Sequence, residues 1–177
     1  MAMDALKSLA LVFALLVAIG TTGCGGHGTS VSGTATDTGR ASADTRIVVQ
    51  HGIAGLELQI TKAQVRTKLG KPAAISNGTN DFGPFTQFVY PDVTVSFQSG
   101  SRATSFLTSS RVERTEQDVG VDSTEAEVKA EVAKVQCRTE SGFRHCFVGR
   151  FLAGRVVTDF HMRQGRVSSV VIGYVID

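Results

Sequence analysis

The chain has no tryptophan, two tyrosines, three prolines and three cysteines. Partner surfaces are commonly anchored by Trp, Tyr and Arg, so an interface built on Trp or Tyr is not expected. Charge of one sign is lacking too: 18 basic residues face 16 acidic ones, a formal net charge of +2. That balance argues against electrostatic nucleic-acid binding. No apolar run is long enough to cross a bilayer. The longest spans residues 9–20, against roughly 20 residues for a spanning helix. Catalytic signatures are also missing. Position 65, where a phosphate-binding Gly-x-x-x-x-Gly-Lys loop would need its first glycine, is Val before Gly70-Lys71. No His-Glu-x-x-His or Gly-x-Ser-x-Gly is present. Asp159 and His161 alternate onto one strand face and form the only acid–His neighbour pair. No serine or cysteine nucleophile has a motif beside it, so no enzyme, cofactor or metal is expected.

What is present first is an address. Lys7 precedes the apolar run, and Thr21-Thr22-Gly23-Cys24 follows it. Residues 1–23 therefore read as a secretory signal. The four residues ending in Cys24 resemble a bacterial lipobox, whose cysteine is lipidated and becomes the mature N-terminus. The expected destination is the extracytoplasmic side of the cell membrane or outer membrane, with a lipid on Cys24. Residues 24–45 are mostly Gly, Ser, Thr and Ala, a flexible tether spanning roughly 25 Å root-mean-square.

Three cysteines are an awkward number for an exported chain. If Cys24 is acylated, Cys137 and Cys146 remain as a pair flanking a short polar connection. An oxidising compartment favours a disulfide there. Metal binding is the alternative, but two cysteines with only His145 beside them make a poor site.

Two helices carry their own start signals. Thr61 and Gln64 can cap each other reciprocally, Ile60 and Val65 are spaced for a hydrophobic staple, and Gly70 with Pro72 ends the helix. The pattern recurs 63 positions later: Thr124 and Glu127 form a Thr-x-x-Glu capping box, with Val128, Val132 and Val135 on one face. At the same offset Phe88 matches Phe151, Phe97 matches Phe160 and Pro91 matches Gly154; Arg102 and Ser105 match Arg166 and Ser169 after a one-residue slip. Repetition at this length points to two copies of one supersecondary unit.

Strands are expected around these helices. They run over residues 73–76, 85–90, 93–98 and 102–108, then 135–139, 146–152, 156–162 and 166–175, with a turn at residues 77–81. Residues 52–58 have no clear assignment. The expected fold is α+β, two tandem units each packing a short helix on an antiparallel sheet. Their boundaries are 1–23 signal, 24–45 lipidated cysteine and tether, 46–112 first unit and 113–177 second unit.

The lipobox, the tether, Thr61-x-x-Gln64-Val65-x-x-x-Leu69-Gly70-x-Pro72, a Phe-x-Tyr strand and an Arg-terminated hairpin together resemble the BamE-type lipoproteins, the SmpA/OmlA group. Gln59-Ile60-Thr61 stands where that family usually has Gly-Met-Thr. The duplication, with a cysteine pair after the second helix, resembles the β-lactamase inhibitory proteins. The resemblance implies a binding module. BamE-type proteins are accessory subunits in assembling outer-membrane β-barrels, and the inhibitory proteins present a concave sheet to a target enzyme. The function expected is a non-enzymatic protein-binding or assembly lipoprotein of the cell envelope, membrane-held through Cys24. The alternative is a tethered or secreted inhibitor of an extracellular enzyme. Candidate partner-binding residues are Phe82, Phe85, Tyr90, Arg150, Arg163 and Arg166.

Overall fold

The structure is a computed structural model that describes residues 44–176. The expected signal, Cys24 and all but the end of the expected tether lie outside the described residues. The expected helix-on-sheet α+β fold is not what forms. The two helices, α1 (Lys62–Leu69) and α2 (Glu125–Glu131), have only 8 and 7 residues. Strands dominate, and most of them join one sheet.

Three short strands, β1 (Ile47–Val48), β2 (Gly52–Ile53) and β3 (Leu56–Glu57), make a small antiparallel sheet, the last two from the stretch that had no assignment. Eight more follow: β4 (Ala74–Asn80), β5 (Gly83–Val89), β6 (Thr94–Gln98), β7 (Ser105–Thr108), β8 (Gln136–Glu140), β9 (Phe143–Val148), β10 (Val156–Arg163) and β11 (Arg166–Tyr174). They form a single antiparallel sheet in the order β4-β5-β6-β7-β11-β10-β9-β8. The pairing that overturns the expectation is β7 with β11, Thr108 opposite Val170 through Ser105 opposite Gly173. It fuses two meanders into one continuous surface. Helices of two turns are too short to form a layer over it.

The register sorts the side chains. One row runs Ile75–Phe88–Val95–Phe106–Ile172–Thr158–Val148 across seven strands. All but the edge residue Ile75 are buried. This is the inner face. Val65 of α1, Val128 of α2, Ile53 and Leu56 of the small sheet and Val119 of the 109–122 connection belong to the same apolar cluster. The next row, Val89–Thr94–Leu107–Val171–Asp159–Phe147–Gln136, points the other way because successive strand residues alternate. This is the outer face.

Local signals explain both helices. The Thr61 Oγ1 accepts from the Gln64 N–H at 3.3 Å, and the Gln64 Oε1 accepts from the Thr61 N–H at 3.0 Å. Thr124 and Glu127 repeat this at 3.2 and 2.6 Å. α1 ends at Gly70, whose φ is 78°. The second helix stops at Glu131, since Val132 is already extended at φ −96° and ψ 110°. Val135 therefore does not extend a helical stripe. Each helix entry is tied to a hairpin by an arginine: Arg102 donates to the Gln59 carbonyl at 3.0 Å and Arg166 to the Asp122 carbonyl at 2.7 Å. Phe97 and Phe160 are both fully buried, in β6 and β10, but Phe88 and Phe151 do not correspond. Phe88 is an inner-face core residue, whereas Phe151 stands in the exposed loop before β10.

β4 departs furthest from its expected course. The Asn77–Asp81 cluster was expected to turn; instead β4 continues through Asn80, pairing Asn77 with Thr86 and Gly78 with Phe85. The reason is visible at Gly78. The Phe85 ring lies across it, and a Cβ there would sit 2.6 Å from the ring. Here glycine is the seat for an aromatic, not the start of a turn.

Candidate binding face on strands β8 to β11

β8 is an edge strand, and two features hold it. Cys137 and Cys146 face each other in the β8–β9 register and are disulfide-bonded, with Cα atoms 4.0 Å apart. Both sulfurs are therefore committed, so metal binding at this pair is set aside. Beside them, Arg144 of β9 reaches Glu125 of α2 through two nitrogens. The Arg144 guanidinium, with Lys129 second, holds the Glu125 carboxyl down to about 2.

On the outer face the β9 residues Phe143, His145 and Phe147 alternate with inward ones. His145 lies opposite His161 and Arg138, and His161 lies opposite Ser169. Asp159 is one row away, so its carboxylate reaches both imidazoles. It accepts from the His145 Nδ1–H at 3.0 and 3.1 Å. Since a carboxylate only accepts, that nitrogen carries the proton. The second Asp159 oxygen is 3.4 Å from the His161 Nε2. The His161 Nδ1 and the Ser169 hydroxyl share a hydrogen bond at 3.1 Å. A β-bulge aims this end: His161 pairs with Ser169 and Met162 with Val167, leaving Ser168 extra.

Aromatic rings roof this polar chain. Phe143 meets His161 edge-on at 4.8 Å between centroids. His145 lies 5.1 Å from Phe147 and 5.7 Å from Phe151. Only 4% of His145 remains exposed, and its Nε2 has no hydrogen-bond partner among the described residues. A Glu140 carboxylate oxygen is 3.9 Å off. The Arg138 guanidinium covers the rings of Phe147 and Phe151 at 4.8 and 5.4 Å, a cation–π contact.

The roof is not closed. Phe143 is 44% exposed, Phe151 41% and Leu152 56%. Beside Phe151 and Leu152 is a concavity of about 410 Å³ lined by Gln136, Arg138, Phe147, Arg150, Phe151 and Leu152. A second, of about 600 Å³, lies beyond Arg150 and Leu152 and is lined also by His51 and Arg155. Neither lining includes a carboxylate, and among the described residues neither Arg150 nor Arg155 has a salt-bridge partner.

Chemically, Ser169, His161 and Asp159 share the connectivity of a nucleophile, base and orienting acid. Their setting is that of a sheet surface. The N–H of Val170, next after Ser169, belongs to a strand paired on both sides, with Phe160 and Thr108. It is not free to stabilise an oxyanion. The concavities lie elsewhere, around residues 149–155.

The candidate partner residues do not converge. Arg150 joins the aromatic roof. Arg163 and Arg166 sit opposite each other at the far hairpin end of β10 and β11, and Arg166 is occupied by Asp122. Phe82 is exposed in the β4–β5 turn, and Phe85 rests on Gly78. Tyr90 is buried: its hydroxyl donates to the Gly70 carbonyl at 3.1 Å, and burial pushes its pKa up. β5 is five strand spacings from β9, about 24 Å. The sequence reading weighs His145 only as a metal ligand beside the cysteines and does not single out Phe143, Phe147 or Leu152. Their signal was the period-2 pattern Phe143-x-His145-x-Phe147 in one strand against Asp159-x-His161 in the next.

No family model matches the chain, and no curated protein matches it. Solved structures similar to it include a DUF4309 family protein, YjgB, from Bacillus subtilis subsp. subtilis str. 168. It is 13% identical, with 69% of this chain and 84% of that chain covered, at a TM-score of 0.46. Another is an extracellular protein containing a SCP domain from Bacillus anthracis str. Ames. It is 10% identical, covering 66% of this chain and 44% of that chain, at a TM-score of 0.44. Among the described residues no helix is long and apolar enough to cross a membrane.

Proposed function

We propose that this chain is a non-enzymatic binding module of the cell envelope, lipid-anchored through Cys24, whose outer sheet face docks an acidic protein surface. The observation that carries the reading is the open aromatic roof. Phe151 and Leu152 stay exposed beside concavities lined also by Arg138, Arg150 and Arg155 and by no carboxylate, and Phe143 is exposed further along the same roof. Arg138 is paired with Glu140 at 2.9 Å, while Arg150 and Arg155 have no salt-bridge partner among the described residues. Phe and Arg are enriched in protein interfaces, and the charge selects an acidic partner. An extracytoplasmic setting is supported by the Cys137–Cys146 disulfide, since such bonds persist in oxidising compartments. The lipidation reading rests on the residues around Cys24.

Capture from solubilised membranes tests the docking face. Wild type should retain a discrete partner with an acidic surface, and Phe151→Asp/Leu152→Asp should lose at least nine-tenths of it at unchanged Tm. Equal recovery by both chains refutes the docking face. Capture of a soluble hydrolase instead would replace the assembly role with the inhibitor role. Intact mass and membrane fractionation test the anchor. Cys24→Ala should lose a diacylglyceryl-sized mass and membrane retention together. An unmodified, freely soluble wild type refutes the anchor without touching the docking face.

A further inference from the structure

The eight-stranded sheet has two edges, and they are treated differently. β8 carries Arg138 and Glu140 and is bonded to β9 through Cys137. β4, Ala-Ile-Ser-Asn-Gly-Thr-Asn, has no charged residue and no proline. Its seven residues pair with β5 without a register shift, so no bulge twists the edge away. Six of the seven are exposed and none is buried, so no described element covers them. Natural sheets blunt their edges with charge, proline, bulges or a covering element, because an open edge is a template for another strand. β4 uses none of these.

We infer that two copies of this chain pair through β4, antiparallel, so that one sheet continues into the other. The strand is its own complement. Full overlap of the seven residues has one antiparallel register, centred on Asn77. It places Ile75 opposite the partner's Thr79, Ser76 opposite the partner's Gly78 and Ala74 opposite the partner's Asn80. Ile75 is 49% exposed because the inner-face row ends there with nothing beyond it; the second copy supplies the missing neighbour. A charged peptide strand would find no opposite charge along β4. The interface is small, well under the roughly 1,200–2,000 Å² of a standard complex, so it is suited to chains already concentrated together. It lies across the sheet from the aromatic roof and stands independently of the docking function.

The register makes the test specific. The full chain carrying Asn77→Cys is expressed in its native envelope and oxidised, then run without reductant. Asn77 meets its own copy at the symmetry centre, so a covalent dimer is expected. Val112→Cys, also exposed but outside the strand, should give less than about a tenth as much. Adding Ile75→Glu and Thr79→Glu sets like charges directly opposite and should cut the dimer at least tenfold. Ile75→Lys with Thr79→Glu should restore it. Far-UV circular dichroism and an intact Cys137–Cys146 bond certify folding in each. Equal yields from positions 77 and 112, or a dimer indifferent to the paired charges, overturn the inference. So does a β4 edge already occupied by residues 25–43 of its own chain, seen as no dimer at position 77.

Discussion

Reduction of the Cys137–Cys146 bond is the perturbation whose magnitude follows most directly from the fold. The two cysteines are 9 positions apart and face each other in register. For a loop this short the chain-entropy model assigns the bond about 2–3 kcal/mol. A folded region of this size loses roughly 3–5 °C of Tm per kcal/mol, so reduction should lower Tm by about 10 °C. The loss should not be spread evenly. β8 touches the main sheet only through β9, and none of its residues is fully buried. Amides of residues 136–140 should therefore lose hydrogen-exchange protection first, while those of β6 and β10 keep theirs until global unfolding. The assay is thermal unfolding of the full chain with and without reductant, in a chelator. The chelator matters because the freed sulfurs and Glu125 would bring three ligand atoms within 4.8 Å of one another. A Tm change under about 2 °C would refute the reasoning. So would simultaneous loss of protection in β8 and β10, which would mean that the edge strand is held by packing rather than by the bond.

Other outcomes follow from single residues. Phe97→Ala or Phe160→Ala, each removing a fully buried ring, should cost about 3–5 kcal/mol in denaturant unfolding. Thr108→Val should cost about 1–3 kcal/mol, because the Thr108 hydroxyl donates at 2.9 Å to the buried carboxylate of Glu113. Glu125 titrates near 2, below its ordinary value of 4.5. Its contribution should be complete above pH 4.5 and lost as pH falls through about 2. The stability gap between wild type and Glu125→Gln, measured by urea unfolding, should therefore close between those values. Ser169→Ala should leave any hydrolysis of p-nitrophenyl acetate unchanged; a loss of turnover confined to this variant and His161→Ala would establish the catalytic reading.

What could be read without the structure was local. Thr61 with Gln64 and Thr124 with Glu127 define their helix starts within four residues, and both capping boxes form. The alternation of Val93, Val95 and Phe97 was enough to orient β6. Long-range pairing had no such signature. Nothing in Ser105–Thr108 announces that it will meet residues 170–173, and that one pairing turns two expected sheets into one. Asn77-Gly78 has turn chemistry, yet a cross-strand phenylalanine takes the glycine for itself. The binding face was hidden for the same reason. His145 and Asp159 look unrelated until the β9–β10 register brings them within 3.0 Å, and Phe151 looked like a repeat of Phe88 until its loop lifted it onto the outer face.

The docking face is tested most directly by a photo-crosslinking amino acid at position 151, in the full chain, in its native envelope. A single prominent adduct is expected, mapping to an acidic surface of the partner. It should fall at least tenfold when Arg138→Glu and Arg150→Glu are added, and should be absent with the crosslinker at position 112. No adduct at position 151, or one indifferent to the reversed charges, would contradict the account.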